Sequence, residues 1–186
     1  MFIFNSILSR INKIPPIIFF STMAIAGVIM LYLAATDSVT FDEKAHIGAG
    51  YAYVAKHDYR LNPEHPPLVK ILAGLPLTVL NTNFPTNDPA WQAVNGQWDI
   101  GYSLLFKAGN NVDRIAFFAR LGPILFALLL IVITYWWSRE LFGVAWAILP
   151  TVLIGLSPTV LAHGHYVTTD VPAAFGMLTA LAFSIA

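Results

Sequence analysis

Asp42 and Glu43 stand side by side a short distance after an apolar run long enough to cross a bilayer. A carboxylate at a helix start beside a membrane can take a proton from a hydroxyl, which makes Asp42 the candidate catalytic base. The competing role is capping. Thr40-Phe41-Asp42-Glu43 reads as a capping box, with Thr40 at the N-cap and Glu43 at N3. Glu43 already fills that role, so Asp42 is left over. Further on come Glu64-His65-Pro66-Pro67 and then Lys70. The proline pair would fix where Glu64 and His65 point, although a plain helix start explains the prolines equally well. Lys70, one turn into that helix, could meet a phosphate as a point charge or simply snorkel.

Two other places carry chemistry. His163-x-His165 with Asp170 could hold a divalent metal, although histidines two apart suit a strand or loop and not one helix face. Asp170 also opens an apolar run, where it would meet a helix dipole favourably. Arg120 is a charge inside an apolar helix. Such residues face a protein interior and have a partner, for which Asp170, Asp42 or a lipid phosphate would serve, or they snorkel to the interface.

The elements that must hold these residues are membrane helices. The chain is 57% hydrophobic and 11% charged, with mean hydropathy +0.67, against about 25% charged in soluble domains. Zero net charge argues against a nucleic-acid partner. With no cysteine there is neither a disulfide framework nor a thiolate metal site. Arg10 and Lys13 precede an apolar run over residues 14–35, read as an uncleaved spanning helix with a cytoplasmic N-terminus. A cleaved signal peptide ending at Leu33-Ala34-Ala35 is the alternative; the apolar stretch is long for one.

Residues 36–114 form an external segment with eight acidic and six basic residues. It should contain helices over about 41–56 and 68–80, the second too short to span and lying in the interface. Asp42 and His46 then share one helix face. Trp91 and Trp98 are expected to be interfacial anchors. Spanning helices are expected over 115–137 and 144–162, joined by a tight turn at Ser138-Arg139-Glu140. A fourth starts at 171 and runs to 186. It has 16 residues where a span needs about 20, so the chain reads as the N-terminal part of a longer protein. The expected fold is therefore an all-α polytopic membrane protein with three full spans, a truncated fourth and external juxtamembrane helices. All five histidines and nine of the ten acidic residues fall on the external side.

The order of these motifs resembles the dolichyl-phosphate-mannose protein mannosyltransferases, within the GT-C glycosyltransferase superfamily. Asp42-Glu43 matches the Asp-Glu pair that opens the first external loop there, and its Asp is taken as catalytic. His65-Pro66-Pro67-Leu68-Val69-Lys70 matches a His-Pro-Pro-Leu-x-Lys run in full. Ala119-Arg120-Leu121, Arg139-Glu140-Leu141-Phe142-Gly143 and Thr168-Thr169-Asp170 match elements at the second and fourth helices.

The resemblance implies an inverting transferase of the prokaryotic cytoplasmic membrane. Its active site would face outward, its donor would be a polyprenyl-phosphate-linked sugar, and its acceptor a lipid, glycan or protein. Asp42 would be the general base, with Glu43, Glu64, His65, Lys70, Arg120 and Asp170 binding substrate. Arg120 and Lys70 would stabilise the leaving phosphate. His163 and His165 are the candidates for a divalent metal; no other cofactor is expected. The 186 residues alone are expected to be inactive. The reading from a different class is a non-enzymatic transporter or lipid-binding subunit, which would place paired charges or broken helices near the bilayer midplane.

Overall fold

The computed structural model describes residues 14–185, and all regular structure among them is helical. The order is α1 (Ile14–Thr36), α2 (Phe41–Ala55), α3 (Pro67–Leu77), a 3-10 turn (Pro89–Trp91) and α4 (Gln97–Tyr102). A π-helical turn (Ser103–Lys107) follows, then α5 (Val112–Phe142), α6 (Ile148–Gly155), α7 (Pro158–His163) and α8 (Asp170–Ile185). Arg10 and Lys13, on which together with Arg139 the expected orientation rests, lie outside the described residues.

Two helices are long and apolar enough to cross a membrane: α1, of 23 residues, and α5, of 31. At ~1.5 Å per residue both exceed the roughly 30 Å hydrocarbon core. α5 belongs to two cores. Its Ile115 and Ala119 pack with Ile47 of α2, Ala73 and Leu77 of α3, and Leu104 and Leu105 of the π turn. Further along, Ile124, Ala127 and Ile131 pack with Ala26, Met30 and Ala34 of α1. One helix thus carries two layers: α2, α3 and α4 around its first turns, and α1 with α6 to α8 further along.

Glycine lets the layer of α2, α3 and α4 close up. A Cβ on Gly50 of α2 would run into the Lys70 carbonyl of α3, and one on Gly74 into the Gly50 carbonyl. On another side of α2, a Cβ on Gly48 would come within 2.8 Å of the Gly101 Cα. Only glycine permits this backbone approach, and it presses α2 between α3 and α4.

Four expectations need correction. The helix expected over 144–162 breaks into α6 and α7. Pro158 has no N–H to continue a helix and biases Ser157 towards extended backbone, seen at φ −61°, ψ 126°. Three full spans are accordingly not what the described residues present: two helices are long and apolar enough to cross, and α8, the short fourth, is apolar with 16 residues. There is no tight turn at Ser138-Arg139-Glu140, because α5 runs on to Phe142. It stops at Gly143, whose φ of +82° suits glycine. Finally, Trp91 is half-buried against Phe84, with ring centroids 5.0 Å apart, and does not project as an anchor.

Candidate active site

The first turn of α2 separates two neighbouring carboxylates. Residues one apart on a helix point about 100° apart, so Glu43 turns inward while Asp42 stays outside. Glu43 is 0% exposed. Its oxygens accept from the Thr40 backbone N–H at 2.9 Å and the Thr40 hydroxyl at 3.2 Å, which fits the expected capping box. They also accept from Arg120 Nε and Nη2, each at 2.8 Å, in a side-on fork. The fifth donor is the Val167 backbone N–H, at 3.2 Å.

Arg120, also 0% exposed, spends its remaining donors on the backbone between α1 and α2. Nη1 donates to the carbonyls of Ala34 (3.0 Å) and Asp37 (2.8 Å), and Nη2 to Ser38 (3.0 Å). The partner of Arg120 is therefore Glu43, not Asp170, Asp42 or lipid. With every N–H engaged, it has none left for a leaving phosphate. Its effect is to knot α5, the α1–α2 connection and the start of α2 together.

Asp37 makes a second tie. Its carboxylate accepts from the Tyr166 hydroxyl at 3.0 Å and lies 3.1 Å from His165 Nε2. His165 Nδ1 lies 3.0 Å from the Leu161 carbonyl. His165 is buried with both ring nitrogens occupied, whereas His163 is exposed and faces Asp170 at 3.9 Å. The two histidines turn to different partners and do not form a metal clamp. No group of three His, Cys, Asp or Glu among the described residues is arranged to hold a metal ion.

Lys70 is buried too. Its Nζ donates to the Asn62 carbonyl (3.0 Å), Asn62 Oδ1 (2.9 Å) and the His65 carbonyl (2.8 Å). An ammonium has three donors, so Lys70 likewise has none for a phosphate. Burial pulls its pKa down to about 8, with the Glu64 carboxylate opposing. An amide chain runs on from Asn62 through Gln97 and Asn95 to the Glu64 carboxylate. Glu64 and His65 are thereby held at the surface, both exposed.

On the open side Asp42 is exposed and has no hydrogen-bond partner among the described residues. Behind it, one turn along α2, His46 is buried, its Nδ1 has no partner, and its ring meets that of His65 edge-on at 5.3 Å. Burial, then Lys70 and His65, lower its pKa to about 4, while Asp42 and Asp170 push the other way. Asp42, His65 and Asp170 thus all lie within electrostatic reach of a neutral imidazole. Sequence spacing put His46 on the face of Asp42 but gave it no role; for Asp37 and Tyr166 no local signal existed. Asp170, its side chain 70% exposed, also lines, with His163, a groove of about 360 Å³. Leu130, Val160, Val171 and Ala174 make the groove's walls apolar.

A family model for dolichyl-phosphate-mannose-protein mannosyltransferases matches residues 19–185. The chain belongs to that family. Membership points to a glycosyltransferase of the mannosyltransferase type, and two long apolar helices fit a membrane-integral family. No curated protein and no solved structure matched the chain. The matched span takes in every residue of the candidate site, from Asp37 to Asp170.

Proposed function

We propose that the protein moves a sugar from a polyprenyl phosphate to a hydroxyl or amine of a lipid, glycan or protein acceptor. The site would face outward from a prokaryotic cytoplasmic membrane. Transfer is a single displacement with inversion. The acceptor's oxygen or nitrogen bonds to the anomeric carbon as the bond to the carrier phosphate breaks, and Asp42 receives the acceptor's proton. The observation that carries this is the contrast at α2. Asp42 is a carboxylate without a protein partner, on a helix start that the buried Glu43–Arg120 pair holds still. Placement to within a fraction of an ångström is what a general base requires.

The other residues divide by exposure. Glu64, His65 and Asp170 reach the surface around Asp42 and would contact substrate. Glu43, Arg120 and Lys70 act as positioning residues. The groove that His163 and Asp170 help line has apolar walls suited to an isoprenoid chain. The transporter reading gains nothing here. The Arg120–Glu43 pair sits in the N-terminal parts of α5 and α2, not at the middle of a span, and the broken segment around Ser157-Pro158 has no charge at its break.

The test is transfer by the full-length protein in membranes from a panel of polyprenyl-phosphate sugars, beside nucleotide sugars. Transfer from a polyprenyl donor, absent in Asp42→Asn, is expected. Transfer from a nucleotide sugar alone would overturn the donor assignment.

A further inference from the structure

Away from the acidic rim, α4 and the π turn carry aromatic rings that the proposed chemistry does not use. Trp98, Tyr102 and Phe106 are four residues apart and lie along one face, 40%, 45% and 49% exposed. The opposite face is packed: Ile100, Leu104 and Leu105 are at most 1% exposed. Tyr102 and Phe106 have ring centroids 5.2 Å apart. At the other end Trp98 stacks on Phe41 of α2 at 4.5 Å, and Phe41 is itself 66% exposed. The four rings make one strip. Lysines lie on its rings: Lys44 Nζ is 4.3 Å from the Phe41 centroid, and Lys107 Nζ is 5.3 Å from that of Tyr102.

The ends of the strip are tied to the two apolar spans. Phe41 follows the end of α1 at Thr36 by five residues, and Lys107 precedes the start of α5 at Val112 by five. The Phe41 end therefore stands where the chain leaves the apolar phase, and the strip runs from there towards the start of α5. Exposed aromatics there place apolar bodies at the acyl boundary with polar edges towards water. Lysines over the rings keep their ammonium groups at the level of lipid phosphates. Asp99, the exposed acid beside Trp98, lies about 100° round the helix and points away from that row.

We propose that Phe41, Trp98, Tyr102 and Phe106 lie in the lipid headgroup layer, with Lys44 and Lys107 meeting lipid phosphates. α4 is then a membrane attachment additional to the spans. Because Phe41 is the first residue of α2, the attachment also sets the height of Asp42 above the bilayer. The surface does not depend on the sugar-transfer reading, and its test needs no turnover.

The full-length protein is reconstituted in vesicles of phosphatidylcholine with phosphatidylglycerol, some carrying bromines high on the acyl chain. The fluorescence lost in Trp98→Phe isolates the contribution of Trp98. That contribution is expected to be quenched by the bromolipid and shielded from aqueous iodide. Lys44→Gln with Lys107→Gln should weaken the quenching more in vesicles with the anionic lipid than without it. If Trp98→Phe does not fold, Phe106→Trp gives the same reading as an added signal. Iodide quenching without bromolipid quenching would put the strip in water and overturn the proposal. Quenching by neither would mean that protein covers it. Shielding from iodide that appears only on adding an acceptor would make it an acceptor subsite. Either result also overturns the proposal.

Discussion

Asp42 and Glu43 are adjacent, have the same chemistry and share the first turn of one helix, yet the fold treats them oppositely. Glu43 is dry, receives five donors and faces a guanidinium whose every N–H is used. Asp42 is exposed and has no partner among the described residues. A buried ion pair is weak evidence for stability, since desolvation offsets much of the attraction. Its use here is geometric. Through Arg120 it fixes Ala34, Asp37 and Ser38, and through Val167 it fixes the connection into α8. The closed side of the turn holds four segments in register so that the open side can present one free carboxylate.

The contrast breaks most sharply at Asp42. Asp42→Asn keeps the shape and removes the basicity, so transfer should fall roughly 10²–10⁴-fold, with thermal stability of the purified protein unchanged. Near-normal turnover by a well-folded variant would take the base role away from Asp42. Loss of stability alongside would mean that its side is not open.

The closed side should respond the other way. Arg120→Met leaves the Glu43 carboxylate buried and uncompensated, which costs about 3–5 kcal/mol. Glu43→Leu combined with Arg120→Met removes both charges and should recover part of that stability. Activity should not return with it, because the carbonyls of Ala34, Asp37 and Ser38 lose their common donor and Asp42 loses its fixed position. Denaturation midpoints beside transfer rates check both halves. Full recovery of activity in the double variant would reduce the pair to a dispensable packing unit.

What was legible in the sequence was local. The Asp-Glu pair, its capping box and His65-Pro66-Pro67-Leu68-Val69-Lys70 each lie within one or two turns, and their spacing already names their helix ends. Partnerships across the chain were not legible. Glu43 and Arg120 are 77 residues apart, and nothing in either neighbourhood prefers that pairing to Asp170 or a lipid phosphate. Lys70 looked like an exposed phosphate ligand because its acceptors, Asn62 and the His65 carbonyl, come from a loop whose path no periodicity describes. Pro158 was visible, but hydropathy is blind to a missing N–H, and the apolar run on either side concealed the break between α6 and α7.

Lys70 sharpens the comparison through pH. Its pKa is about 8 in the folded protein, against an ordinary value of 10.5. Between those values the unfolded chain binds more protons than the folded one. The contribution of Lys70 to stability therefore rises with pH from about 8 to 10.5 and is flat below 8. Lys70→Met removes that slope. It also strands three acceptors, at a cost of about 1–3 kcal/mol near neutral pH. Melting curves of the two proteins from pH 7 to 10.5 should therefore diverge as pH rises. A constant difference would mean that Lys70 is wetter than its position beneath His65 implies.

The smallest effect belongs to Thr40, at the edge between the two sides. Its hydroxyl and backbone N–H both donate to Glu43, whose carboxylate already has the Arg120 fork and the Val167 N–H. Thr40→Ala removes the hydroxyl and leaves the backbone bond in place. Losing an N-cap side chain costs about 1 kcal/mol, and the redundancy at Glu43 should keep this case no higher than that. The first turn would still be held from inside, so Asp42 should not move and transfer should stay near wild type. A large drop in transfer with a small drop in melting temperature is the informative failure. It would mean that the cap, not the buried Arg120 fork, sets the angle at which Asp42 meets its substrate.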